Sequence, residues 1–120
     1  KKKKIEIKNS LLLIMGLTFK ENCADIRNSG VKILFDSLKK LNCNIDLYDP
    51  WANEDDIKRV YNINPIQTLT KNTYDSLLIT VAHDEFKNIG ENTIMNLCKK
   101  KSVIYDLKNL FKSDKIDLRL

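Results

Sequence analysis

The chain has 120 residues, of which 42% are hydrophobic and 31% charged, a composition typical of one soluble globular domain. Its apolar runs are too short for a membrane span of ~18 residues, so no membrane partner is expected. The net charge is +5, but residues 1–10 hold five Lys and one Glu, a charge of +4, which leaves +1 for the rest of the chain. We therefore expect no nucleic-acid partner.

The first part of the chain predicts a strand followed by a helix. Residues 1–10 are expected to be a linker from a missing upstream region, since the chain begins with Lys rather than Met. The apolar residues 11–17 predict a strand that is buried on both faces. Asn28 or Ser29 can cap the helix that follows. The apolar face of this helix shows helical spacing and consists of Val31, Leu34, Phe35, Leu38 and Leu41.

The rest of the chain continues the alternation. Residues 45–48 predict a second strand, and Asn53 is expected to cap a helix that carries acids in its first turn. Residues 62–72 are ambiguous, with a short edge strand at Pro65-Ile66 and a brief helix after Thr68 as the options. The remaining predictions are a buried strand at 76–81, a helix at 92–100 and a last strand at 102–105.

Strands that alternate with helices imply right-handed βαβ units and a parallel sheet. We therefore predict an α/β fold for residues 11–120. It is expected to be a Rossmann-like three-layer domain with a mostly parallel sheet of four to five strands and helices on both faces.

A long polar loop, residues 17–28, separates the first predicted strand from its helix. Loops of this kind usually have about 2–6 residues, and much longer ones are usually functional or disordered. Its place beyond the carboxyl end of a buried strand is where open α/β sheets bind ligands. Within it, Lys20 suits a phosphate or sugar oxygen and Phe19 can pack against a base, although Lys20 can also be only solvated.

Arg27 closes the same loop. Arg is well suited to forked contacts with phosphates. The alternative is a salt bridge to Asp25 or Glu21. Asp25 itself is expected to hold the shape of the loop rather than to perform chemistry.

The glycines argue against a dinucleotide-binding turn. The chain has three, Gly16, Gly30 and Gly90, and none are spaced as in G-x-G-x-x-G. We therefore expect Gly16 to be a structural turn, and this chain not to hold NAD through a glycine-rich turn.

Other reactive side chains have structural explanations. The three cysteines form no C-x-x-C pair and have no neighbouring His, so we expect reduced thiols and no metal site. Cys23 lacks a base nearby in sequence and is not expected to be a nucleophile. His83, the only histidine, can be a proton shuttle or an oriented loop residue, and we favour the second. Asp49 can bind a ribose hydroxyl or cap the turn before Pro50, and we favour the cap.

Four segments together resemble one enzyme family. Gly16, Phe19, Lys20, Asp25, Arg27 and Ser29 match G-x-x-[FY]-K-x-x-x-x-D-x-R-x-[ST]. Tyr48-Asp49-Pro50, Ala82 to Phe86 and Tyr105 to Asn109 are similar to later motifs of the same family, in the same order. The chain thus resembles the C-terminal, UDP-binding domain of the UDP-glucose/GDP-mannose (nucleotide-sugar) 6-dehydrogenases. Its K-E-N-C loop is most like that of the UDP-N-acetylhexosamine branch.

The resemblance implies a function and a set of site residues. The family's enzymes use NAD, held mainly by an N-terminal domain, to oxidise the sugar C6 alcohol to a uronic acid for capsule or O-antigen synthesis. Phe19, Lys20, Lys108 and Asn109 would then bind the UDP-sugar, and Arg27 would face NAD. The catalytic Cys would lie upstream, so the fragment alone is expected to be inactive. The whole protein is expected to be a cytoplasmic homodimer.

Two other classes remain. One is a stand-alone flavodoxin-like domain that responds to phosphate, but such domains carry an acid pair after the first strand, where this chain has Gly16-Leu17-Thr18. The other is an interaction module that binds no nucleotide.

Overall fold

The computed structural model describes residues 9–27, 30–108, 110–111 and 118–119. Within them the chain forms a parallel sheet with helices between its strands. The strands are β1 (Leu11–Met15), β2 (Asn44–Tyr48), β3 (Tyr74–Ile79), β4 (Cys98–Asp106) and β5 (Leu118–Arg119). The helices are α1 (Val31–Lys40), α2 (Glu54–Tyr61), α3 (Asp84–Ile89) and α4 (Glu91–Met95).

The sheet has the strand order β2-β1-β3-β4-β5, and every pair is parallel. β1 is central, and its last four residues are almost completely buried because both faces of the strand are covered. Leu12 and Ile14 pack with α1 and α2, whereas Leu13 and Met15 pack with α3 and α4 on the other face. The predicted three-layer α/β fold is therefore confirmed.

Several local predictions are also confirmed. β1, α1, β2 and α2 begin and end within two residues of the predicted bounds. Asn53 caps α2, since its Oδ1 accepts hydrogen bonds from the N–H groups of Asp55 at 2.8 Å and Asp56 at 3.1 Å. The N-cap of α1 is Gly30, which has no side chain to cap the helix, so the predicted cap at Asn28 or Ser29 is not the one found. Asn28, Ser29 and residues 1–8 of the predicted linker lie outside the described residues.

The predicted helix at 92–100 is wrong in its second half. α4 ends at Met95, and residues 98–100 begin β4 instead. Cys98 pairs in register with Tyr74, and the Lys99 ammonium lies 3.1 Å from a carboxylate oxygen of Asp75. These contacts with β3 outweigh the helical pattern of the segment.

Three further elements differ from the prediction. α3 and β5 were not predicted, and the strand expected at 76–81 begins and ends two residues earlier. Residues 62–73 form neither a strand nor a helix, although the Ile66 N–H donates to the Leu47 carbonyl of β2 at 2.8 Å. Among the residues that the structure describes, no helix is long and apolar enough to cross a membrane.

Candidate functional site

A cavity of about 260 Å³ lies where β1, β3 and β4 end. It is lined by the loop after β1, the start of α1 and the residues that follow β3 and β4, namely Thr18, Phe19, Gly30, Val31, Leu34, Thr80, Leu107 and Lys108. Because parallel strands place their carboxyl ends at one edge, four segments that are distant in sequence meet here. The cavity combines apolar walls with two hydroxyls and one ammonium group.

A close backbone approach at Gly16 shapes the floor of this region. Gly16 has φ +111°, and a Cβ at this position would lie 2.7 Å from both the Cβ and the backbone N of Val81. The Thr80 hydroxyl contacts the carbonyl oxygens of Met15 and Gly16 and so ties the end of β3 to the end of β1. Gly16 is therefore a structural turn, as predicted.

This turn does not fit a dinucleotide pyrophosphate. A dinucleotide fingerprint leaves open space above its glycines so that the phosphates can approach the backbone. At Gly16 that space is filled by Val81. The residues of this turn thus do not form an NAD cradle.

Two of the predicted site residues line the cavity. Phe19 exposes 58% of its surface although its backbone N–H is bound to the Asp25 carbonyl at 2.7 Å, so a fixed loop presents the ring to solvent. Lys108 is exposed and lines the cavity from the segment after β4. Lys20 is exposed next to Phe19 but does not line the cavity. Asn109 lies outside the described residues.

Arg27 forms the ion pair that was the alternative to a ligand contact. Its Nε and Nη2 each donate to one carboxylate oxygen of Asp25 at 3.0 Å, and its backbone N–H donates to the same group at 2.9 Å. The Arg27 side chain is 83% exposed, and the pair lies outside the cavity lining. The hydrogen bonds from Arg27 hold the pKa of Asp25 below its usual range.

A buried polar cluster holds the base of the loop. Asp49 and His83 are both almost fully buried, and the His83 Nε2 lies 3.0 Å from Asp49 Oδ2 and 3.2 Å from Thr18 Oγ1. His83 Nδ1 accepts the backbone N–H of Asn22 at 2.9 Å. Since Nδ1 is an acceptor, the ring proton is assigned to Nε2, which donates to Asp49. His83 is therefore an oriented residue, as favoured from the sequence.

Asp49 binds backbone N–H groups of two segments, the turn that contains Pro50 and the start of the loop after β1. Its Oδ1 accepts the N–H groups of Trp51 at 2.8 Å and Ala52 at 3.1 Å, which is the predicted cap of the turn around Pro50. Its Oδ2 also accepts the Leu17 N–H at 2.6 Å. Burial by itself raises the pKa of Asp49, but the hydrogen bonds from His83, Leu17 and Trp51 outweigh burial and hold the pKa below its usual range.

Sequence reasoning missed two polar side chains that shape the site. Asn22 Oδ1 accepts the Asp84 N–H at 2.9 Å and so caps α3 from a loop that lies far away in sequence. Asp106 is fully buried and accepts the N–H groups of Leu110 at 2.9 Å and Phe111 at 2.8 Å, which fixes the segment that carries Lys108. The position of Asp106 directly after a buried strand was the available signal.

The three cysteines are free thiols that differ in exposure. Cys23 is partly exposed, and Cys43 and Cys98 are buried. Burial raises the pKa of the Cys43 thiol, which disfavours the thiolate. Within the described parts of the chain, no three His, Cys, Asp or Glu side chains are grouped so that they could hold a metal ion.

Comparison with known proteins places the chain beside nucleotide-sugar dehydrogenases. Residues 13–113 match a family model described as the UDP-glucose/GDP-mannose dehydrogenase family, UDP binding domain. The chain is 44% identical over 119 residues to UDP-N-acetyl-D-glucosamine 6-dehydrogenase from Pseudomonas aeruginosa, and 39% identical over 119 residues to the protein of that name from Salmonella typhi. In both comparisons 99% of this chain is aligned.

The fold also matches a solved structure of a related kind. UDP-D-ManNAc dehydrogenase from Pyrococcus horikoshii superposes with a TM-score of 0.73 at 20% identity, over 96% of this chain and 26% of that chain. The two sequence relatives are likewise longer, and this chain spans 28% of the length of each. The resemblance that the four sequence motifs indicate, including its UDP-N-acetylhexosamine branch, is confirmed.

Proposed function

We propose that this chain, which belongs to the UDP-glucose/GDP-mannose dehydrogenase family and matches its UDP-binding domain, binds the UDP part of a UDP-sugar. The proposed site is the cavity beyond the carboxyl ends of β1, β3 and β4. One observation carries this proposal. Phe19 and Lys108, which lie in two separate motifs of the family resemblance, line the same cavity.

The chemistry of the lining suits a nucleoside diphosphate. Lys108 supplies a cation for the pyrophosphate, and Lys20, the exposed residue that follows Phe19 in sequence, can add a second. The Phe19 ring offers an apolar surface for uracil or ribose. Thr18 and Thr80 add hydroxyls to the wall. Asn109 belongs to the same proposal, by its place next to Lys108.

We further propose that residues 11–120 act as one domain of a larger cytoplasmic, homodimeric dehydrogenase. That enzyme would be NAD-dependent and would oxidise the C6 alcohol of a UDP-N-acetylhexosamine to a uronic acid for capsule or O-antigen synthesis. Its NAD site would lie mainly outside this chain, because the turn at Gly16 does not fit a dinucleotide. Its nucleophilic Cys would also lie outside this chain, as the family resemblance implies. Arg27 would face NAD across a domain boundary, which requires it to leave or share Asp25.

Calorimetric titration tests the binding proposal. The chain is titrated with UDP and UDP-N-acetylglucosamine, and with GDP as the base control. We expect Lys108→Ala to weaken UDP binding by about tenfold or more, since a charge-assisted contact contributes about 1.5–3 kcal/mol. Phe19→Ala should weaken UDP binding as well, because an aromatic stacking contact contributes about 0.5–1.5 kcal/mol. Lys58→Ala, an exposed lysine on α2, is the matched control. Equal losses for Lys108→Ala and Lys58→Ala, or no binding of UDP, would contradict the proposed site.

A second assay tests whether this chain alone can catalyse the oxidation. The purified chain is mixed with NAD and UDP-N-acetylglucosamine, and NADH absorbance is followed. We expect no reduction of NAD, because this chain is proposed to supply binding and orientation only. Sustained turnover by the chain alone would contradict the proposal. Labelling of an Asp by acetyl phosphate would instead favour the phosphate-responsive class.

A further inference from the structure

One buried histidine controls the shape of the loop that carries Phe19 and Lys20. His83 is fully buried at the end of β3, yet both of its ring nitrogens contact that loop. Nε2 faces the Thr18 hydroxyl, whose own hydrogen is donated to the Lys20 carbonyl at 2.9 Å. Nδ1 holds the Asn22 N–H. The two exposed side chains, Phe19 and Lys20, lie between these two anchor points.

The arrangement tolerates only one state of the ring. With Nδ1 free of a proton, the ring accepts from Asn22 and donates to Asp49, and both bonds are satisfied. A second proton would turn Nδ1 into a donor that faces the N–H of Asn22 at 2.9 Å. That contact places two donors against each other inside the protein, so the Asn22 bond must break.

We propose that His83 is a positioning residue that holds the 18–22 segment in its binding shape only while the imidazole is neutral, so that acidification releases the segment and weakens UDP-sugar binding. The proposal rests on the proposed function for its binding consequence. The structural part, the coupling of the His83 proton to the Asn22 contact, stands on the hydrogen bonds alone.

Among the described residues, none of the charged groups near the ring is hydrogen-bonded to Nδ1, the atom that would take the second proton. Asp49 faces the ring from the turn after β2. Its Oδ2 accepts from His83 Nε2 and from the Leu17 N–H, and its Oδ1 accepts the Trp51 N–H. Asp84 and Glu85 begin α3, and Glu85 is bound to the indole of Trp51, which stacks on the imidazole with centroids 6.1 Å apart. The loop itself carries Lys20 and Glu21, both exposed, and the Tyr48 phenol is near Glu85 and Asp49. Opening of the loop therefore accompanies charging of His83.

Nuclear magnetic resonance on the full chain tests the coupling without any ligand. The His83 ring nitrogens and the Asn22 amide are followed from about pH 7.5 to about pH 5, the range in which histidines commonly change charge. We expect the protection factor of the Asn22 amide against hydrogen exchange to fall by more than about tenfold as the ring is charged, which is about 1.4 kcal/mol of local opening. Asn62 is the matched control, because its backbone is also left-handed and its N–H donates to the Lys58 carbonyl.

Binding of UDP-N-acetylglucosamine over the same pH range supplies the second readout, since its pyrophosphate does not titrate near neutral pH. We expect the Kd of the wild type to rise by at least about tenfold at the acidic end and that of His83→Gln to stay nearly constant, because Gln can donate and accept but is not charged. Retained pH dependence in His83→Gln overturns the proposal. An Asn22 protection factor that does not change in the wild type overturns it whether or not the variant folds. A chain that binds no UDP-sugar at any pH contradicts the proposed function, while the Asn22 amide still decides the role of His83.

Discussion

Replacement of Gly16 by Ala is expected to be the most damaging small substitution in the chain. Its cost has two parts. The φ of +111° is a conformation that side chains rarely adopt, and holding a non-glycine residue in such a region costs about 1–3 kcal/mol. The added Cβ would also lie 2.7 Å from the Cβ and backbone N of Val81, and overpacking of this kind costs about 1–3 kcal/mol.

The other two glycines separate these two costs. Gly90 has φ +94° but open space around it, so Gly90→Ala should show the backbone strain alone, about 1–3 kcal/mol. Gly30 has an ordinary φ of −66° and nothing within 4 Å of the added atom. Gly30→Ala should therefore change stability by less than about 1 kcal/mol, because the lower entropy of the unfolded chain, which favours folding, opposes the poorer N-cap of α1 that Ala would make at this position.

Urea denaturation followed by circular dichroism measures all three variants against the wild type. The expected order of lost unfolding free energy is Gly16, then Gly90, then Gly30, with a total of about 2–6 kcal/mol at Gly16. That loss is a large part of the stability of an ordinary domain. If Gly16→Ala loses no more than Gly90→Ala, the close approach to Val81 is not a constraint, and the account given for this turn is refuted.

Three further outcomes are expected. Asp49 has a lowered pKa when folded, so its contribution is complete above its ordinary pKa of about 3.9 and is lost as the pH falls through the lower folded value. Acid titration of unfolding free energy should show a smaller loss in Asp49→Asn than in the wild type and in the exposed control Asp36→Asn, because Asp25 and Asp75, whose pKa values are also lowered, keep their own contributions in all three. At neutral pH, Asp49→Asn should also cost about 1–3 kcal/mol in urea, since the amide NH2 would face buried donors that the carboxylate accepts. Arg27→Ala should leave the urea midpoint close to that of the wild type, because its pair with Asp25 is exposed, and a clear drop in the midpoint would show that this pair holds the loop. Cys23→Ala should leave UDP affinity within about tenfold by calorimetry, because the sequence places no general base beside this residue. A greater loss would contradict the expectation that Cys23 is not a functional residue.

The fold could be predicted because its central elements obey simple periodicity. β1 is a short continuous apolar run, which indicates a buried strand, and α1 has apolar residues at helical spacing, which indicate a helix. The helix expected at 92–100 failed for the opposite reason. Its three lysines in a row gave no strand signal, and only pairing with β3 makes Cys98 to Lys100 extended.

The site could be predicted only in part. The length of the loop after β1 and the position of Lys108 after the last clear strand pointed to the edge of the sheet where the cavity lies. The anchors of that loop could not be read, because the bond from Asn22 to His83 joins residues 61 positions apart. The role of Arg27 could not be predicted either. The neighbouring Asp25 accepts from Nε and Nη2 of Arg27, which are the same donors that a phosphate ligand would need.

The central position of β1 also has a consequence for how the chain emerges from a ribosome. β1 is made before its two partners, β2 and β3, which end only at residues 48 and 79, and the cavity is complete only once Lys108 is present. Until residue 79 has been made, the apolar strand β1 lacks at least one of its two partners, which exposes it to self-association and to chaperones. Nearly the whole chain must therefore be synthesised before this pocket can exist.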